Sequence, residues 1–111
     1  AAAHYELDNL IIINDKNNLQ LAGPTREIMN TDPLAEKWKA FGMTVTECQG
    51  NDVASVVAAL EGLQQAGKPN VIIANTTKGA GISFIQGRPE WHHRVPKGEE
   101  IELALEELKD E

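Results

Sequence analysis

Three short apolar runs punctuate a chain that is otherwise mixed. Leu10-Ile11-Ile12-Ile13 is continuous and mostly β-branched, too short for a helix and apolar on both faces, which predicts a strand buried in a parallel sheet. Met43 to Cys48 alternates about Val45 and predicts a second strand, and Pro69 to Ala74 predicts a third. Between the first two, Asp32-Pro33 offers an N-cap with proline at the first helical position, and Gly42 offers a stop. Leu34, Trp38 and Phe41 recur there at i, i+4 and i+7, one apolar stripe of a short helix facing a sheet. Between the second and third, Gly50-Asn51-Asp52 turns the chain and caps a helix with Val53, Val56, Val57, Leu60 and Leu63 inward, closed by Gly67. Gly98 to Lys109 predicts a last amphipathic helix with Ile101, Leu105 and Leu108 inward.

Strand, helix, strand, helix, strand with short joints predicts an α/β fold, an open parallel sheet with helices on both faces and right-handed crossovers. Such sheets bind ligands at the carboxyl ends of their strands. Two loops leave such ends here, Asn14 to Gly23 and Asn75 to Gly87.

A length of 111 residues leaves room for one modest domain. The formal net charge is −7, but seven of the 17 acidic residues lie in the last 13 positions beside a single lysine, so the other 98 positions carry only −1. The acidity is thus expected on one solvated face of the last helix, and neither nucleic-acid binding nor a polybasic membrane module is indicated. The lone Cys48 makes no internal disulfide and has no partner thiolate for a metal site, so a cytoplasmic setting is expected. No apolar run approaches the roughly 20 residues that a bilayer span needs. The chain opens Ala1-Ala2-Ala3-His4-Tyr5 without an initiator methionine, as if inside a helix with His4 on its surface, the pattern of a fragment or processed chain.

Two motifs are decoys. Gly62 to Pro69 nearly spells a phosphate loop, but proline stands where Ser or Thr is needed, and the segment ends a helix instead of opening one. Gly79-Ala80-Gly81 is followed by Phe84 where a dinucleotide fingerprint needs its third glycine. Asp15-Lys16-Asn17-Asn18-Leu19-Gln20 starts like a calcium loop, yet Leu19 replaces a ligand and Gln20 the glycine. What survives is an Asp-x-Asn turn whose oxygens suit a hard cation such as Mg²⁺, or bond their own backbone as a polar turn. In Lys78-Gly79-Ala80-Gly81 the lysine is placed to neutralise a phosphate approached closely by glycine backbone, or belongs to an ordinary mobile loop. Trp91-His92-His93-Arg94 suits gripping and protonating a phosphorylated substrate. A structural histidine is the competing role; a transition-metal ligand lacks a third partner at ligand spacing.

Four ordered segments together are more specific. Leu7-Asp8-Asn9-Leu10 through Asp15-Lys16-Asn17-Asn18-Leu19-Gln20-Leu21-Ala22-Gly23-Pro24-Thr25, Trp38-Lys39-Ala40-Phe41-Gly42, Thr77-Lys78-Gly79-Ala80-Gly81-Ile82-Ser83 and Trp91-His92 resemble the thiamine-diphosphate-binding domain of transketolase. The style is closest to split transketolases, whose halves are separate subunits. The resemblance implies that residues 1–111 are the C-terminal part of that domain, a partial thiamine-diphosphate-binding fold. It implies transfer of a two-carbon ketol unit from a ketose phosphate to an aldose phosphate, in pentose phosphate metabolism, with the hard chemistry carried by the cofactor. It also implies residue roles: Asn17 gives its side-chain oxygen and Leu19 its backbone carbonyl to Mg²⁺ on the cofactor diphosphate. Lys78 lies near the diphosphate, and His92 contacts it and helps proton transfers on the substrate. His93 and Arg94 gain no role.

The same resemblance implies partners. These are an upstream segment bearing a Gly-Asp-Gly motif, a pyrimidine-binding subunit or domain, sugar phosphate substrates, and a dimer or heterotetramer without which the chain does not turn over. Ala22 stands where relatives often have Asp, and Gln49-Gly50-Asn51-Asp52 where they have Asp-Gly-His-Asp, neither at a metal ligand. Two alternatives stay in view. A non-catalytic scaffold remnant is disfavoured by the retained Asn17, Lys78 and His92; a related enzyme such as deoxyxylulose-phosphate synthase is disfavoured by the Trp91-His92 loop.

Overall fold

The computed structural model describes residues 1–110. In chain order the elements are β1 (Ile11–Lys16), β2 (Leu19–Gln20), β3 (Gly23–Pro24), α1 (Thr25–Ile28), α2 (Leu34–Ala40), β4 (Thr44–Gln49), α3 (Val53–Glu61), β5 (Asn70–Asn75), a 3₁₀ turn (Pro89–His92), α4 (Glu99–Glu107) and a second 3₁₀ turn (Leu108–Asp110). They fall into two compact units, Ala1–Lys16 with Thr31–Thr76 and Asn17–Asn30 with Thr77–Glu111.

The first unit carries the α/β sheet, three parallel strands in the order β1-β5-β4. Asn70 stands opposite both Ile11 and Thr44, and the register runs without slip to Asn75 opposite Lys16 and Gln49. Val71, Ile72 and Ile73 of the middle strand are at most 1% exposed, as a run apolar on both faces requires. The expected first strand is displaced toward its carboxyl end. Parallel pairing is made by backbone groups, so it continues through the polar Asn14, Asp15 and Lys16, and the Thr76 N–H then donates to the Lys16 carbonyl at 3.2 Å. As an edge strand β1 turns alternate residues outward. Ile11 and Ile13 are exposed, contrary to the expectation of two buried faces.

Helices α2 and α3 pack on β4, and α3 also reaches β5. Asp52 caps α3 as expected, its carboxylate accepting from the Ala54 N–H at 3.0 Å. The helix ends at Glu61 with Gly62 as its cap, ahead of the expected Gly67. Val56, Ala59 and Leu63 face inward against Cys48, Ile72 and Ala74, while Val53, Val57 and Leu60 stay exposed. The small Ala59 seats the helix close to the sheet and turns the bulkier row outward.

At α2, Pro33 takes the N-cap position and Leu34 begins the helix. Phe41 lies past the last helical residue and is exposed instead of completing the stripe, and Gly42 with φ +88° supplies the expected stop. The opening residues form turns and no helix. The Tyr5 N–H reaches the Ala1 carbonyl at 3.0 Å, but Glu6 at φ 52° breaks the run, and His4 is exposed.

Asp32 faces Lys16, with Nζ to Oδ1 at 2.7 Å. The Lys16 ammonium first, and the Leu34 backbone N–H with it, hold the Asp32 carboxyl below its ordinary value. A depressed folded value means the bridge contributes above the unfolded value and is lost as pH falls through the folded one. Carboxyl NMR titration is expected to give Asp32 a low midpoint that climbs toward the ordinary aspartate value in Lys16→Met. Equal midpoints in the two proteins would remove Lys16 as the cause.

In the second unit, β2 and β3 form an antiparallel hairpin around Leu21-Ala22. Helix α4 faces its unit the other way from the expected stripe: Ala104 is buried, and Ile101, Leu105 and Leu108 are exposed. Glu100, Ala104 and Glu107 share the inner side at i, i+4 and i+7. Glu100 and Glu107 are therefore engaged with protein groups outside the helix, so the acidic tail is not wholly a solvated face. Glu111 and the side chain of Asp110 lie outside the described residues. Among the described residues, no helix is long and apolar enough to cross a membrane.

Candidate functional site

The chain passes into its second unit directly after β1 and again directly after β5, so both crossings leave carboxyl ends of parallel strands. The first crossing leads into the hairpin. Asn17 Oδ1 accepts the Leu19 N–H at 2.9 Å, an Asx turn of the kind a polar loop makes for itself. Asn18 sits at φ 59°, a left-handed conformation that asparagine tolerates. The Thr25 N–H donates to the Asn18 carbonyl at 2.9 Å, which makes Leu19 opposite Pro24 the pair without mutual hydrogen bonds. Leu19 therefore turns its own N–H and carbonyl away from β3, and its N–H reaches the Asn17 side chain.

The second crossing leads into a closed loop. The Gly87 N–H donates to the Lys78 carbonyl at 2.9 Å, pinching off residues 78–87. Lys78 is half-buried at its neck. The chain then makes the 3₁₀ turn in which Trp91 is buried and meets Phe84 edge-on at 5.5 Å between ring centroids. With Trp91 anchored, the adjacent His92 is left exposed to solvent.

These segments meet in a cleft of about 180 Å³ lined by Asn17, Leu19, Gln20, Leu21, Lys78, Pro89 and His92. All four residues singled out from the sequence line it. His93 and Arg94 do not. The His93 ring stands edge-on to His92 at 4.5 Å, and Arg94 lies over the Trp91 ring at 4.1 Å and pairs with Glu100. Asp15, the acidic residue of the loop, accepts from Thr76 Oγ1 in the first unit. Gln20, Leu21 and Pro89 join the lining without having been singled out. Gln20 is held by its side-chain amide, which donates to the Met29 carbonyl at 2.9 Å.

The donors suit a diphosphate with a hard cation. An amide oxygen has two lone pairs, so Asn17 Oδ1 keeps one after accepting from Leu19. The Leu19 carbonyl adds a second neutral oxygen, the kind Mg²⁺ takes together with phosphate oxygens. The Lys78 ammonium supplies positive charge and the His92 imidazole a group that exchanges protons. Among the described residues no three His, Cys, Asp or Glu side chains converge as a group that could hold a metal ion.

Residues 1–109 match the family model described as transketolase, thiamine diphosphate binding domain. The chain belongs to this transketolase family. It is 76% identical over 110 residues to an apulose-4-phosphate transketolase subunit of Actinobacillus succinogenes, covering 99% of this chain and 40% of that protein. It is 40% identical over 106 residues to the 6-deoxy-6-sulfo-D-fructose transketolase subunit SqwG of a Clostridium species, covering 95% of this chain and 38% of that one. The transketolase of Campylobacter jejuni superposes with a TM-score of 0.83 at 33% identity, over 95% of this chain and 16% of that chain. The chain thus spans about 40% of the subunits it matches. The transketolase domain fold agrees with the expected open parallel α/β sheet.

Proposed function

We propose that this chain is the diphosphate- and Mg²⁺-binding, C-terminal part of the thiamine-diphosphate domain of a two-subunit transketolase. The assembled enzyme moves a two-carbon ketol unit from a ketose phosphate to an aldose phosphate. One observation carries the reading: Asn17 and Leu19 line a single cleft with Lys78 and His92, which lie about 60 residues or more further along the chain. Bound thiamine diphosphate supplies the nucleophilic carbon and electron sink that ketol transfer needs. In this reading Asn17 and the Leu19 carbonyl orient the cation. Lys78 offsets phosphate charge, and His92 passes protons to and from substrate oxygens at the cleft mouth.

Partner subunit and upstream segment remain part of the proposal. Exposed Ile11 and Ile13 on β1 and exposed Val53, Val57 and Leu60 on α3 support a chain that works against other polypeptide. The two transketolase subunits named above carry different sugars in their names, apulose 4-phosphate and 6-deoxy-6-sulfo-D-fructose. The 76% identity supports a donor of the apulose-4-phosphate kind over the sulfo-sugar. A cytoplasmic setting fits the single, buried, free Cys48.

Calorimetric titration of thiamine diphosphate with Mg²⁺ into the full-length subunit and its partner tests the reading. Asn17→Ala is expected to weaken uptake about tenfold or more, the scale on which a lost metal contact or its support acts. Binding equal to wild type would take Asn17 out of the metal site.

A further inference from the structure

Helix α4 meets its unit through carboxylates although its sequence holds an apolar row. Ala104 is 7% exposed at the centre of the inner face, with Glu100 one turn before it and Glu107 one turn after. Glu107 spends both oxygens on one residue. Oε2 accepts the Ser83 N–H and Oε1 the Ser83 hydroxyl, each at 2.6 Å. Ser83 lies midway along the loop that Lys78 and Gly87 close. Glu100 accepts from the Arg94 guanidinium through one oxygen and from the Lys97 N–H through the other at 3.1 Å. Arg94 in turn covers the ring of Trp91, the residue next to His92. Seven residues along a helix separate the two carboxylates by about 10 Å on one rigid element.

The Lys78 loop has reason to need an outside tether. Gly79, Gly81 and Gly87 all take positive φ, so the unfolded loop has much conformational freedom to lose. Charge-assisted hydrogen bonds are about twice as strong as neutral ones, which makes a doubly bonded carboxylate an effective anchor. The two bonds from Ser83 pull the Glu107 carboxyl below its ordinary value, so the anchor is charged at neutral pH.

Resting on the cofactor reading above, we propose that Glu107 acting through Ser83, and Glu100 acting through Arg94 and Trp91, are positioning residues that hold the Lys78 loop and the His92 turn in their cleft geometry. The acidic helix is a clamp on the diphosphate end of the site.

The test uses the full-length subunit with its partner and reads three quantities in Glu107→Gln and Ser83→Ala: amide exchange over residues 78–87 without cofactor, affinity for thiamine diphosphate with Mg²⁺, and turnover at saturating cofactor. Both variants are expected to speed exchange in the loop and to weaken cofactor binding about three- to tenfold, with the loss in affinity and not in saturated turnover. The loss in the double variant should fall short of the sum of the two single losses, because both substitutions act on the same Ser83–Glu107 pair. Glu100→Gln should speed exchange over 89–94 and leave 78–87 alone. Glu106→Gln, whose carboxylate pairs with Lys109 at the surface, is the control that changes none of these. Wild-type exchange in Glu107→Gln and Ser83→Ala, or additive losses in the double variant, would overturn the clamp. Should Glu107→Gln fail to fold, Ser83→Ala alone decides. If the wild-type assembly takes up no thiamine diphosphate, the functional reading falls while the exchange measurement still decides the clamp.

Discussion

His92→Ala in the assembled enzyme is expected to slow ketol transfer about hundredfold or more, the range in which a positioned proton-transfer group acts. The imidazole lines the cleft yet is exposed, and the turn that carries it is anchored by its buried neighbour Trp91. Truncation at 92 therefore removes chemistry and little packing, and the melting temperature should stay near wild type. In the proposed ketol transfer a proton leaves one substrate hydroxyl and another returns to a second oxygen, so a single group at the cleft mouth would serve both directions. His93→Ala is the informative neighbour. Its ring touches His92 edge-on but does not line the cleft, so a much smaller loss is expected. Steady-state turnover with circular dichroism and thermal melting checks both variants. Wild-type turnover in His92→Ala would remove the residue from the reaction, and a collapsed melt would assign it to structure.

How much of the fold is legible depends on how local each determinant is. Val71 to Ala74 needs burial on both faces, and that alone identifies a central strand. Leu10 to Ile13 announces a strand but not its end, because Asn14, Asp15 and Lys16 continue it through backbone pairing with β5 that no side chain records. The β2–β3 hairpin is too short for any periodicity; its one trace is Gly23-Pro24 following Gln20 after the two residues Leu21-Ala22. The period of α4 announces a helix but points its face the wrong way, since that facing is set by Ser83 and Arg94, side chains outside the helix. At the site, Asn17, Leu19, Lys78 and His92 are singled out by the ordered motifs in which they lie, and the structure gathers them around one cleft. Gln20, Leu21 and Pro89 join them only once the hairpin and the 3₁₀ turn exist, and nothing in their residue types marks them beforehand.

Gly79→Ala is expected to damage the site more than Gly87→Ala, although both glycines close the same loop in the same left-handed backbone, at φ +68° and +71°. At Gly87 a Cβ meets nothing within 4 Å, so alanine there costs only the left-handed conformation, about 1–2 kcal/mol. At Gly79 the Cβ would stand 2.5 Å from Ile85 Cγ2 and 3.3 Å from the Ile85 backbone carbonyl carbon. Ile85 is β-branched and half-buried, with few rotamers to retreat into, so the collision is relieved only by opening the loop. Overpacking of this kind adds about 1–3 kcal/mol, for about 2–5 kcal/mol together. The cost falls on the local equilibrium between closed and open loop, and a cofactor that needs Lys78 in place must restore closure at its own expense. Cofactor affinity should therefore drop about thirtyfold or more in Gly79→Ala, at least about fivefold beyond Gly87→Ala, with faster amide exchange confined to residues 78–87. Equal losses in the two variants would show that the approach of Gly79 to Ile85 is irrelevant to binding. Adding Ile85→Ala to Gly79→Ala removes the Cγ2 that the new methyl strikes, and should recover part of the affinity if the collision is the cause.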